Sequence, residues 1–208
     1  MWLSILAAVL SCYFLGNLNG AVSVSMMLGH EDVRKKGSGN AGLTNFVRNY
    51  GFASAGIVAL IDMGKAFLAC LLGKLLLEPF GYSLEGAVLG AVAVSLGHDF
   101  PALLGFRGGK GILSGFAVAI ALDYRCALII LAVFAIVFLL TRYVSLASLL
   151  ASFTLGVYFA LMYWNQPLVM AGGIFLSALA IFMHRSNIVR LCKGTENRMQ
   201  FRKKETAE

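Results

Sequence analysis

Charge is scarce in this sequence. Only 13% of its 208 residues are Asp, Glu, Lys or Arg, against roughly 25% in a soluble domain. Close cysteine pairs are missing as well. Cys12, Cys70, Cys126 and Cys192 lie far apart, which excludes a clustered metal site and the disulfide framework of a small secreted fold, leaving them as small apolar residues. The first ten residues, MWLSILAAVL, lack a basic stretch and are followed by no A-x-A cleavage site, so a retained first helix is expected rather than a cleaved signal. Internal repeats, low-complexity segments and long linkers are absent too.

Hydrophobic residues make up 59% of the chain, enough to make the bilayer the first solvent to consider. A membrane-crossing helix needs about 20 mostly apolar residues. Apolar stretches run over residues 3–28, 52–77, 84–104, 111–122, 126–140, 143–163 and 168–184. The expected fold is therefore all-α, a polytopic membrane bundle of about seven transmembrane helices, with residues 1–208 forming a single membrane-integral domain. The fourth and fifth stretches are short for a full crossing, which makes them tilted, re-entrant or shielded.

The net charge of +7 is clustered. If seven spans alternate, one side of the membrane receives Arg34, Lys35, Lys36, Arg48, Arg107, Lys110, Arg142, Arg185, Arg190, Lys193, Arg198, Arg202, Lys203 and Lys204, and the other receives Arg125 and Lys74. The positive-inside rule then puts the N-terminus outside and the C-terminus in the cytoplasm, with 185–208 as a basic tail beside anionic lipid. This clustering accounts for the basicity without a nucleic-acid partner.

Three polar segments fall on the basic side. The first, Gly37-Ser38-Gly39-Asn40 with Thr44, Asn45 and Arg48, combines a Gly-permitted tight turn, neutral donors and a guanidinium fork suited to phosphate. The second runs from Gly97-His98 to Gly108-Gly109-Lys110-Gly111. It is not a Walker A loop, because Leu104 and Gly111 stand where that motif needs Gly and Ser or Thr. Its glycines strip side chains from around Lys110, so an anion could reach both backbone N–H groups and the ammonium. The third contains His184, Arg185, Asn187 and Glu196; on a helix, His184 and Asn187 share a face at i, i+3. Asp62 and Lys65, also at i, i+3, fall within an apolar stretch, where a lone charge costs at least ~2.5 kcal/mol and pairing or a polar cavity is expected.

With these segments in place, the chain resembles the acyl-phosphate:glycerol-3-phosphate acyltransferases of bacterial phospholipid synthesis over nearly its whole length. The resemblance rests on Gly37-Ser38-Gly39-Asn40 with Thr44-Asn45 and Arg48, on Gly97-His98 with Phe106-Arg107-Gly108-Gly109-Lys110-Gly111, and on His184-Arg185 with Asn187-Ile188, Arg190-Leu191 and Gly194-Thr195-Glu196. Ala41 and Leu43 depart from the family's usual Pro and Ala, and Ala66 stands where a Gly usually follows the Asp-x-x-Lys pattern of Asp62 and Lys65.

The resemblance implies a multi-pass enzyme of the bacterial plasma (inner) membrane, with its site on the cytoplasmic face, that needs no metal or other cofactor. Its substrates would be acyl phosphate and glycerol 3-phosphate, and its products lysophosphatidic acid and phosphate. It further implies that Ser38, Arg48, Lys110 and Ser145 hold phosphate and that His184 and Asn187 orient the acceptor. Gly37, Gly39, Asn40, Thr44, Asn45, His98, Gly108, Gly109, Gly111, Arg185 and Glu196 complete the expected substrate-binding set. The rival reading is a membrane transporter for a small phosphorylated anion; its difficulty is that every expected phosphate ligand sits at one membrane face, whereas transporters usually bind near the midplane. No His is followed five residues later by Asp, so the His-x-x-x-x-Asp dyad of acyl-CoA-type acyltransferases is absent.

Overall fold

A computed structural model of the protein describes residues 1–199. Arg202, Lys203 and Lys204 of the basic tail lie outside the described residues. The described chain is all-helical: α1 (Trp2–Gly16), α2 (Gly20–Met27), α3 (Leu43–Tyr50), α4 (Ala55–Leu77), α5 (Ser83–Asp99), α6 (Ile112–Leu122), α7 (Tyr124–Thr141), α8 (Val144–Met162), α9 (Pro167–Met183) and α10 (Arg185–Cys192), with short 3-10 turns at Val33–Lys35, Glu78–Phe80 and Ala102–Leu104.

Four helical segments, Ala55–Phe80, Ser83–Leu104, Tyr124–Thr141 and Val144–Met162, are long and apolar enough to cross a membrane. The bent pairs α1–α2 (44°) and α9–α10 (55°) raise that number to six if each is one span. Two expected spans differ in detail. The stretch 3–28 is interrupted at Asn17, Leu18 and Asn19, where the Asn19 side chain leaves the helix to accept from Val22 N at 3.0 Å and cap α2. The stretch 111–122 forms only α6, whose 11 residues rise about 16 Å at 1.5 Å each, roughly half a 30 Å hydrocarbon core.

The packing follows the demands of lipid. Large apolar side chains face outward, Leu3 and Leu140 being 82% and 79% exposed. Small residues meet inside, since lipid tails solvate Leu well and helices gain most where their backbones approach closely. Ala69 and Gly73 of α4 oppose Gly86 and Gly90 of α5 so tightly that a Cβ on any of these three glycines would collide with a backbone oxygen across the seam. Gly16 of α1 and Gly97 of α5 make the same kind of crossing.

The expected pairing of Asp62 with Lys65 is present. Their side chains are 3% and 1% exposed, and Lys65 Nζ lies 2.9 Å from Asp62 Oδ1. The pair spans the α1–α2 break. Lys65 donates to Gly16 O at 3.1 Å and Leu18 O at 2.5 Å, while Asp62 Oδ1 accepts from Gly20 N at 3.0 Å. An ammonium thus meets the open carbonyls at the end of one helix and a carboxylate meets the first N–H of the next, the signs that helix ends favour.

At the far end of α8, Asp123 caps α7 and accepts from Tyr158 Oη at 2.6 Å and Tyr163 Oη at 3.1 Å. The turn between α6 and α7 is thereby tied to α8.

Candidate active site

The three polar segments converge on one cavity of about 430 Å³, to which Ser38, Asn40, Thr44, Asn45, Arg48, His98, Lys110, Gly111, Ser145, His184, Asn187 and Glu196 all contribute. Four helices begin at its wall: α3 through Leu43 and Thr44, α6 through Ile112 and Leu113, α8 through Val144 and Ser145, and α10 through His184 and Asn187. None of these four starts has a side-chain cap. Uncapped first-turn N–H groups and the positive ends of four helix dipoles favour an anion.

Side chains add to that field. Arg48 and Lys110 line the same space. Burial pushes the Lys110 ammonium down to about 8, with Arg190 and then Arg48 and Arg185 adding like-charge repulsion against an opposing pull from Glu196. Lys110 donates to Asn187 Oδ1. Asn187 Nδ2 in turn donates to Glu196 Oε1 at 2.8 Å, and Arg190 Nε to Glu196 Oε2 at 2.7 Å. The Ser145 hydroxyl is buried without a well-aligned hydrogen bond, but lies close enough to Glu196 to favour its charged form. The Nδ1 of His184 sits 2.8 Å from Ala180 O. A carbonyl can only accept, so Nδ1 carries the proton and Nε2 offers a lone pair.

Several of the expected ligands carry scaffold contacts. Asn45 lines the cavity, yet its amide is committed to the first loop: Nδ2 donates to Val33 O, Lys36 O and Asn40 O at 3.0–3.1 Å, and Oδ1 accepts from Ser38 N at 3.0 Å. Gly37 and Gly39 turn the same loop at φ +57° and +71° and do not line the cavity. Gly108 and Gly109 also stay out of it, because they pack against His98: Gly109 N donates to His98 O at 3.1 Å, and a Cβ at 108 or 109 would strike His98 O or His98 Nε2. Their bareness lets the loop pack against His98 and seats Lys110. Arg185 points elsewhere, stacking 4.4 Å over the Phe182 ring.

Arg190, Asn197, Ser148 and Asp62, none of them in the expected substrate-binding set, also line the cavity. Arg190 was findable, since it follows Asn187 by three residues on α10 and shares its face.

A second cavity, about 290 Å³ and almost wholly apolar, adjoins the first. Met63, Phe116, Val118, Ile130, Leu155 and Leu176 contribute to its wall, and it shares Lys110, Gly111, Ile112, Leu113, Phe134 and Ser148 with the polar cavity. A greasy chamber and an anion chamber meet at one lysine.

Residues 6–194 match the model of the glycerol-3-phosphate acyltransferase family. The chain belongs to that family. A glycerol-3-phosphate acyltransferase of a Thermoanaerobacter species is 38% identical over 196 residues, covering 94% of this chain and 96% of its own. One from Bordetella pertussis is 37% identical over 201 residues, covering 95% and 93%.

Among solved structures, PlsY (YgiH), an integral membrane glycerol 3-phosphate acyltransferase, is similar in its glycerol 3-phosphate form with a TM-score of 0.85 at 34% identity, covering 95% of this chain and 96% of that one. Its lysophosphatidic acid form gives 0.83 at 32% identity. This acyltransferase is therefore an integral membrane protein of phospholipid synthesis, and the transporter reading gives way.

Proposed function

We propose that this protein transfers a fatty acyl group from acyl phosphate to the 1-hydroxyl of glycerol 3-phosphate, releasing lysophosphatidic acid and phosphate. The observation that carries the reading is the meeting of the polar and apolar cavities at Lys110. An acyl phosphate joins a greasy tail to a dianionic head, and only its carbonyl must lie where those chambers meet. The tail takes the apolar cavity. The phosphates of donor and acceptor take the helix starts, Ser38, Arg48, Lys110 and Ser145, while His184 and Asn187 orient the glycerol.

The chemistry asks little more of the protein than alignment and charge stabilisation, since the donor is already activated. The hydroxyl oxygen bonds to the acyl carbon, the bond from that carbon to the phosphate oxygen breaks, and the hydroxyl proton passes to an oxygen of the departing phosphate. Lys110 and the four helix starts stabilise the charge on that phosphate. His184, with its Nε2 lone pair, holds the acceptor rather than removing its proton; His184→Gln should therefore retain turnover at saturating glycerol 3-phosphate, and an abolished kcat with unchanged KM would overturn this assignment.

Residues 1–208 are read as a single domain of a bacterial inner membrane, crossing it about seven times, and charge placement supports an orientation with the N-terminus outside and the site and C-terminus cytoplasmic. Purified protein in detergent, given acyl phosphate and labelled glycerol 3-phosphate, should form labelled lysophosphatidic acid. Lys110→Ala should lower kcat/KM at least ~100-fold, the scale of losing one charge-stabilising group.

A further inference from the structure

His98 stands between two groups of residues that have no direct contact in the proposed chemistry. Its ring is buried, yet it forms part of the wall of the polar cavity with Arg48 and Lys110. Its Nδ1 lies 2.8 Å from Lys65 Nζ. An ammonium has three donors and no lone pair, and Lys65 is surrounded by acceptors: Asp62 Oδ1 at 2.9 Å, Gly16 O at 3.1 Å and Leu18 O at 2.5 Å. Asp62 Oδ1 lies 3.6 Å from His98 Nδ1, beyond hydrogen-bond reach, so this nitrogen faces the ammonium and accepts. The single ring proton of His98 therefore resides on Nε2, for which there is no hydrogen-bond acceptor among the described residues.

The same pair controls where the phosphate loops stand. Lys65 and Asp62 hold the two sides of the break at 17–19. From that break, Asn19 Nδ2 donates to Ala41 O at 2.9 Å in the first loop, and Asn17 Oδ1 accepts from Leu103 N at 2.9 Å in the second. Gly109 packs its bare Cα beside His98 Nε2, immediately before Lys110. A hub buried in the bundle thus reaches both phosphate-binding loops and one imidazole N–H at the cavity wall.

We propose that Asp62 and Lys65 are positioning residues for acyl transfer: they fix His98 as the Nε2–H tautomer, so that it donates to an oxygen of the bound phosphate-bearing substrate. Lys65 does not line the cavity and acts through His98. Asp62 keeps Lys65 in place, its Oδ1 lying 2.9 Å from the Lys65 Nζ. The proposal rests on the acyltransferase reading for its kinetic consequence, but the tautomer can be tested without it.

Nitrogen chemical shifts of protein labelled with 15N-histidine, the His98 signals assigned by their loss in His98→Gln, should show Nδ1 bare and Nε2 protonated. A His98 found with its proton on Nδ1 overturns the proposal whatever the enzyme's activity. For kinetics, the double variant Asp62→Asn/Lys65→Met removes both buried charges together and leaves neither unpaired. It should lose at least tenfold in kcat/KM, carried mostly by KM. In His98→Gln, whose amide places an N–H near the original Nε2–H, the added loss from the double variant should fall below threefold, because the ring through which Lys65 acts is gone. Equal losses in both backgrounds, or no loss in either, would mean that the pair merely supports the fold.

Discussion

A lysine serves as a phosphate ligand only while it is charged, and Lys110 is held close to losing that charge. Burial and neighbouring cations bring it down to about 8, so the free enzyme carries the ammonium below that pH and loses it above. The expected pH profile follows from this sign: kcat/KM is maintained up to about pH 8 and falls beyond it. A bound phosphate adds negative charge and raises the same group, so kcat at saturation should persist to higher pH. A kcat/KM that stays flat to pH 10 would remove Lys110 from phosphate binding.

Glu196 works one step back, anchoring Asn187 at 2.8 Å and Arg190 at 2.7 Å. Glu196→Ala should raise KM for glycerol 3-phosphate about tenfold, the ~1.4 kcal/mol of one charge-assisted hydrogen bond, with a smaller effect on kcat.

Between helices, the decisive feature is how closely α4 and α5 approach. Gly90 presents its bare Cα to Ala69 O, whereas Gly64, on the same α4 that supplies Ala69, has open space around it. The two positions should respond in opposite directions. Gly90→Ala forces the helices apart and should cost about 1–3 kcal/mol, measured as a fall of several degrees in thermal unfolding in detergent. Gly64→Ala gains helix propensity of up to ~1 kcal/mol with nothing to displace, and should hold or raise that temperature. The seam matters to the cavity because α4 carries Asp62 and Lys65 and His98 lies near the end of α5, so the seam sets the distance between Lys65 and His98.

For the whole molecule, orientation can be read from its own thiols. Cys12, Cys70 and Cys126 are buried, and Cys192 at the end of α10 is exposed. A membrane-impermeant maleimide should therefore label inverted vesicles and leave right-side-out vesicles unlabelled, with Cys192→Ser abolishing the signal. Labelling of right-side-out vesicles alone would reverse the orientation proposed from the basic loops.

Composition and pattern determined by themselves that the chain is a helical membrane protein and which three polar segments meet at one cavity, because apolar length and clustered basic charge are local properties. His184 and Asn187 were legible for the same reason, through helical spacing. The break inside 3–28 was not, since two asparagines barely alter an apolar average; it exists because Lys65, some 50 residues away in sequence, accepts the duty of capping a helix end. Nor could spacing tell that Gly108, Gly109 and Asn45 build the loops while Ser148 and Asn197 enter the cavity. Which polar atom faces a ligand and which is consumed by the scaffold depends on neighbours brought by other helices, and only the packed bundle supplies them.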